Sequence, residues 1–342
     1  MKNFINMKKR TLIIAEAGVN HCGCLDMALR LVDAAADAGV DYVKFQTFKS
    51  EALVSKSAPL AKYQSRNIKD ESDTQLQMLK KLELSVADHQ AIMERCCQKG
   101  VKFLSTAFDL QSIDFLASLG LDFWKIPSGE ITNYPFLRAI AGHGGDILMS
   151  TGMSTIEEVG EALDALISNG ADKNRITLLH CNTQYPTPMI DVNLLAMNEM
   201  KSRFGVDAGY SDHTLGIEVP IAAVALGATV IEKHFTLDKS LPGPDHKASL
   251  DPAELRAMVD AIRNVELALG KSEKAVTASE IENRAVARKS IVASRHIKKG
   301  EILTEDNITT KRPGTGLSPM LWTSVIGTKA VDDFQPDAMI RL

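Results

Sequence analysis

Eight short apolar runs, each closing on polar residues, alternate with longer amphipathic stretches over most of the chain. The runs are TLIIAEAG (11–18), YVKFQTF (42–48), KFLSTAF (102–108), FWKIPSG (123–129), DILMSTG (146–152), ITLLHCN (176–182), DAGYSDH (207–213) and VIEKHF (230–235). Between them lie helical candidates such as LDMALRLVDAAADAG (25–39) and STIEEVGEALDALISNG (154–170). In the second, Val159, Leu163 and Leu166 recur at helical spacing and Gly170 stands where a C-cap belongs. PAELRAMVDAIRNVELALG (252–270) completes the set. Eight strand–helix units in about 250 residues predict an α/β fold of the (β/α)8 TIM-barrel type rather than an open doubly wound sheet.

The polar endings locate the chemistry. They are Glu16 and Asn20, Lys44 and Gln46, Ser105 and Thr106, Lys125 and Ser128, Ser150 and Thr151, His180 and Asn182, Ser211 and His213, Glu232 and His234. Any one pair reads equally well as a strand-end cap. Repeated on all eight strands, they predict a polar pocket at the carboxyl ends of the strands, where βα loops build barrel active sites.

Beyond the barrel candidate (1–270) comes a polar link, KSEKAVTASEIENRA (271–285), and then a texture of short strands and Gly/Pro turns (286–342). That tail reads as a compact β module, small enough that it is expected to dock on something. With 45% hydrophobic and 24% charged residues among 342, the chain suits one large domain plus this small one. A net charge of −4 offers no basic field for nucleic acid or an anionic membrane. The apolar start TLIIAEAGV is interrupted by Glu16 and closed by Asn20, too short to span a bilayer, so a cytoplasmic protein is expected. Five cysteines fit reduced thiols better than a disulfide framework. Met7 is an alternative start that would make the first six residues a dispensable arm.

VNHCGCLD (19–26) has the residue types of a zinc site, but Cys22 and Cys24 occupy a turn after the first strand, and a plain thiol pair is the simpler reading. His213 and His234 end neighbouring strands, and two approaching imidazoles suit a transition ion with positions left for water and substrate; two unrelated strand-end histidines are the alternative. Lys44 and Lys125 sit inside apolar runs, where a lysine is costly unless paired or bound to an anion. With Thr106, Ser128, Ser150 and Ser211 they make a candidate phosphate and carboxylate cradle; Glu16 and Glu130 are the alternative partners for the lysines. Gln46, Glu130 and Asn182 join the candidate substrate contacts from the same strand ends. PGPDH (242–246) would hold Asp245 at the barrel mouth, or be a surface turn; KRPGTG (311–316) would present Arg312 for recognition, or be a solvated turn. Neither a P-loop nor a GxGxxG run occurs, so nucleotide binding is not indicated.

These pieces together resemble the sialic acid synthase family. The resemblance covers nearly the whole chain and rests on AEAGVNH, KFQTF, STAFD, KIPSGE, STGM, HCNTQYPTP, GYSDHT, EKHFTLDKSLPGPDH and TKRPGTGLSP, with SKSAPLAKYQ (55–64) as in bacterial N-acetylneuraminate and N,N'-diacetyllegionaminate synthases. It implies a barrel followed by an antifreeze-like (SAF) domain, in a domain-swapped homodimer. It also implies a metal-assisted condensation of phosphoenolpyruvate with N-acetylmannosamine, giving N-acetylneuraminate and phosphate. The alternative acceptor is 2,4-diacetamido-2,4,6-trideoxymannose. By the same resemblance His213 and His234 bind a divalent cation, Mn2+ first and otherwise Mg2+ or Co2+. Lys44, Thr106, Lys125, Ser128, Ser150 and Ser211 meet phosphoenolpyruvate. Glu16, Tyr185 and Asp245 serve the sugar and metal side, and Arg312 reaches the sugar's N-acyl group from the partner chain. Two departures stand out: Ala107 where the family commonly has proline, and Cys22 in the Asn-His-x-Gly turn. A 3-deoxy-aldulosonate synthase on the same barrel and a non-catalytic sugar-binding barrel are the rival readings.

Overall fold

The computed structural model describes residues 10–59 and 74–342. Met7, and positions 60–64 of SKSAPLAKYQ, lie outside the described residues. The chain divides after Gly270 into two compact units.

All eight apolar runs of the first unit are strands: β1 (Leu12–Gly18), β2 (Tyr42–Thr47), β3 (Lys102–Ala107), β4 (Phe123–Ile126), β5 (Asp146–Ser150), β6 (Ile176–His180), β7 (Asp207–Asp212) and β8 (Val230–His234). They form one parallel sheet in the order 3-2-1-8-7-6-5-4. β3 and β4, at its two ends, come together by packing, and the Tyr42 and Phe123 rings meet edge to face at 4.9 Å inside. The result is a TIM-type barrel wrapped by helices.

Strand side chains alternate between faces, and here that rule builds the site in layers. Ile14, Tyr42, Leu104, Phe123, Leu148 and Val230 form an apolar plug across the barrel. Two residues further along the same strands stand Glu16, Lys44, Thr106, Lys125, Ser150 and Glu232. A polar layer therefore sits directly on an apolar one. Two residues beyond again come Gly18, Gln46 and His234, with His213 two beyond Ser211 of β7. The opposite faces of the strands are buried under the helices, in one cluster around β1, β2, β7 and β8 and another around β4, β5 and β6.

The helices follow their sequence signals. Leu25–Ala38 ends on Gly39 in the left-handed region, and Pro252–Leu269 begins with an Asp251/Glu254 capping box. The 154–170 stretch is helical over Ile156–Ser168: Thr155 and Glu158 form its capping box, and Asn169 rather than Gly170 takes the C-cap position. Val159, Leu163 and Leu166 are buried as their spacing predicted. No helix among the described residues is long and apolar enough to cross a membrane.

The second unit pairs β9 (Ser290–Ala293) with β10 (Ile308–Lys311) antiparallel, around a small core that includes Ile291, Ile297, Leu303, Phe334 and Ile340. The 271–285 stretch groups with this unit and carries most of the helix Ile281–Ala287, so it is more structured than a plain polar link.

Candidate functional site

A cavity of about 600 Å3 opens at the carboxyl ends of the strands. Glu16, Lys44, Gln46, Thr106, Lys125, Ser128, Glu130, Ser150, Tyr185, Ser211, His213, His234 and Asp245 all line it. Of the expected site residues in the first unit, only Asn182 stands outside. Asn182 turns its side chain into its own loop, accepting from Gln184 N–H at 2.8 Å, and meets the site only through its carbonyl. Arg312 is exposed in the second unit.

The floor is a row of buried charges. Lys44 Nζ lies 2.5 Å from Glu16 Oε2 and 3.5 Å from Glu232 Oε2, and donates to Thr106 Oγ1 at 2.9 Å. Lys125 Nζ lies 3.6 Å from Glu232 Oε1 and donates to Ser150 Oγ at 2.7 Å. Ser211 Oγ donates to Glu232 Oε1 at 2.9 Å. Parallel register sets these contacts: Glu16 pairs with Lys44, and Ser211 with Glu232. Glu232 is thus the hinge of the network, joining both lysines. It belonged to the polar strand ends but to no expected contact set. Its signal was its position two residues before His234 on the same inward face. Glu130, an alternative lysine partner by sequence, instead accepts from Asn133 at 2.5 Å.

Burial raises a carboxyl pKa, and the neighbouring cations decide which acid yields. Burial and the negative Glu232 push Glu16 up despite Lys44. At Glu232 burial acts in the same sense, but Lys125 and Lys44 outweigh it and hold the group below its ordinary value. Of the two acids, Glu16 therefore takes a proton more readily and Glu232 is the one held ionised. Burial lowers the Lys125 pKa, whereas at Lys44 the two glutamates overcome burial and raise it. Burial pushes Asp245 up to about 7.

Above the floor the His213 and His234 rings lie 5.3 Å apart, with the Tyr185 ring tilted against His213 at 4.1 Å. His213 Nδ1 faces the Asn182 carbonyl, which can only accept, so the proton is on Nδ1 and the Nε2 lone pair accepts from Tyr185 Oη at 3.0 Å. His234 Nδ1 is buried 4.0 Å from Asp245 Oδ2 and has no hydrogen-bond partner among the described residues. Burial pushes His213 down to about 4, and burial together with His213 holds His234 well below its ordinary value. Two neutral imidazoles, one oriented by a backbone carbonyl and one with an orphaned nitrogen, fit a divalent transition ion. Among the described residues no group of three or more His, Cys, Asp or Glu is gathered to hold a metal, so these two would be its protein ligands.

Close approach requires glycine at two places. Gly18 (φ +52°) lies where a Cβ would come within 3.1 Å of Glu16 Oε1 and 3.4 Å of His234 Cε1. At Gly152 a Cβ would fall 2.8 Å from Ser128 Oγ and 3.0 Å from Cys181 Sγ. Ser128 is pinned here, accepting from Gly152 N–H at 3.0 Å.

The His21–Cys24 turn carries none of these contacts among the described residues. His21 is buried and accepts from Gly23 N–H at 3.0 Å, Cys22 Sγ lies 3.3 Å from His246 Nε2, and Cys24 is exposed as the N-cap of the helix Leu25–Ala38.

Residues 31–274 match the NeuB family and residues 288–342 the SAF domain. The chain is similar to the N,N'-diacetyllegionaminic acid synthase of Campylobacter jejuni, 50% identical over 97% of this chain and 99% of that one. It is also similar to the N,N'-diacetyllegionaminic acid synthase of Legionella pneumophila, 48% identical over 93% and 89%. Among solved structures, the N-acetylneuraminic acid synthetase of Leptospira borgpetersenii in complex with citrate superposes with a TM-score of 0.69, at 35% identity over 80% of this chain and 90% of that one.

Proposed function

The chain belongs to the NeuB family, and from that premise we propose that it is a nonulosonic acid synthase, joining phosphoenolpyruvate to the open-chain aldehyde of an N-acyl mannose-type sugar. The observation that carries this reading is the buried Lys44–Glu232–Lys125 row set beneath two neutral imidazoles. With Glu16 protonated, two ammonium groups face one fixed carboxylate, and the surplus cation matches the phosphate and carboxylate of phosphoenolpyruvate. Thr106, Ser128 and Ser150 add hydroxyl donors around them.

The substrate's C3 forms the new bond to the aldehyde carbon, and the aldehyde oxygen takes the proton held by Glu16. Water adds at C2 and returns a proton to Glu16. The C2–O bond to phosphate then breaks, the C2 hydroxyl becomes the keto group, and its proton leaves with the phosphate. Each atom and proton is accounted for with Glu16 restored. Holding two reactants on a rigid strand-end frame removes much of the entropic barrier. A divalent cation on His213 and His234, Mn2+ with Mg2+ or Co2+ as substitutes, would supply Lewis acidity at the acceptor carbonyl. Tyr185 and Asp245 border the same space and are assigned to the sugar.

The direct test is phosphate release. Phosphate should appear only when phosphoenolpyruvate, a 2-acetamido mannose-type sugar and Mn2+ are all present, with a nine-carbon 2-keto acid in equal amount. Phosphate formed without the sugar would remove the synthase reading.

Arg312 enters as a residue lent between subunits of a homodimer, reaching the sugar's N-acyl group in the partner's barrel. Mixing Arg312→Ala protein with His213→Ala protein should restore part of the activity, because one barrel of a mixed dimer then has both functions. Subunit exchange without recovery contradicts the swapped arrangement.

A further inference from the structure

His213 and His234 line the cavity, so strand alternation turns the residues just before them, Asp212 and Lys233, to the opposite face of the sheet. The neighbouring positions on that outward face of β7 and β8 carry no charge: they are Ala208, Tyr210 and Ile231, with Phe235 just beyond. Into this layer the chain sets one ion pair. Both side chains are fully buried, and Lys233 Nζ lies 2.5 Å from Asp212 Oδ2.

The pair also grips the backbone around His213. Asp212 Oδ1 accepts from the Thr214 N–H at 3.0 Å and Oδ2 from the Thr214 hydroxyl at 2.9 Å, while Lys233 donates to the Thr214 carbonyl. The residues on both sides of His213 are thus tied to the residue before His234. The paired register of β7 and β8 ends at Asp212 and Lys233, so His213 lies beyond it and the ladder alone does not fix its distance from His234. From the loop after β6, His213 is held by the Thr187 N–H on its carbonyl and by the Asn182 carbonyl on its ring. Lys233 holds it from β8.

A buried ion pair adds little to stability, because desolvating two charges offsets their attraction, and apolar substitutes are often neutral or stabilising. What such a pair can supply is register. We propose that Asp212 and Lys233 are positioning residues that hold His213 and His234 at the spacing a shared divalent cation needs. This rests on the synthase reading and the metal assignment above. Neither residue lines the cavity, so the pair acts only through the two histidines.

The test is the double variant Asp212→Asn with Lys233→Met. It removes both charges together, leaves no unpaired ion, and keeps an amide oxygen for the Thr214 N–H, but it cuts the tie to β8. Titrating chelator-treated protein with Mn2+, and following the free ion by its electron paramagnetic resonance signal, should show affinity about ten- to a hundredfold weaker than wild type. Thermal unfolding, and the KM for phosphoenolpyruvate at saturating Mn2+, should stay at wild-type values. If the double variant fails to fold, Thr214→Val decides: it removes only the hydroxyl given to Asp212 and should weaken Mn2+ binding in the same direction. Wild-type Mn2+ affinity in the folded variant, or equal losses in Mn2+ affinity and in phosphoenolpyruvate KM, overturns the positioning role and leaves the synthase reading intact. Wild-type protein that binds no Mn2+ overturns the metal assignment and the pair's role with it. Failure of the synthase reading shows separately, as absent phosphate release from protein whose Mn2+ site is full.

Discussion

His213→Ala and His234→Ala should each lower turnover by about a thousandfold while leaving the fold intact. Each removes one of the two nitrogen donors that the β7 and β8 ends bring together, and neither side chain holds a barrel element in place. His213 reaches only Tyr185 and the Asn182 carbonyl by hydrogen bonds, and His234 Nδ1 has no such partner among the described residues. Circular dichroism and thermal unfolding should therefore match the wild type. Treating the wild type with a chelator should reproduce the loss, and Mn2+ should reverse it there but in neither variant. Because burial pushes His213 down to about 4, protons should begin to compete with the cation only well below pH 6. Full activity in chelator-treated wild-type protein would falsify the metal assignment.

Glu232→Gln should be the most informative change in the floor. It keeps the shape and the contact with Ser211 but removes the one charge that faces both Lys44 and Lys125. Leaving buried charges without their partner costs about 3–5 kcal/mol, so the variant should unfold at distinctly lower denaturant than the wild type. Inorganic phosphate should then stabilise the variant more than it stabilises the wild type, because an anion replaces the lost carboxylate. Turnover should fall by about a hundredfold or more as the two lysines lose their fixed spacing. Denaturant midpoints with and without phosphate measure both effects, and an equal phosphate shift in the two proteins would show that the lysines do not form an anion site.

The barrel was legible because its signals are local. Alternation within a strand, glycine after a helix and a capping box each act over a few residues, and each was visible in strings such as STIEEVGEALDALISNG. Most of the site was legible for the same reason, since polar residues ending apolar strands have few places to point. Glu232 was underread because one acid in VIEKHF looks like a strand-end cap; its role appears only when register sets it beside Ser211 and between two lysines from other strands. Asn182 shows a feature that the sequence did not signal. Its side chain satisfies its own turn, as asparagine commonly does, and its backbone carbonyl orients His213. The apolar part of the cavity lining carried no signal: Val19, Phe48, Met78 and Phe108 are far apart in the chain, and tertiary packing alone brings them to one cavity.

The most direct measurement follows the bridging oxygen of phosphoenolpyruvate. Substrate labelled with heavy oxygen in its C–O–P bridge is turned over with the acceptor sugar and Mn2+, and the products are weighed by mass spectrometry. Attack of water at C2 with C–O cleavage predicts that the label leaves entirely with the phosphate and that the 2-keto acid carries none of it. Label retained in the keto acid would mean cleavage at phosphorus and would contradict the mechanism assigned to Glu16 and the two lysines.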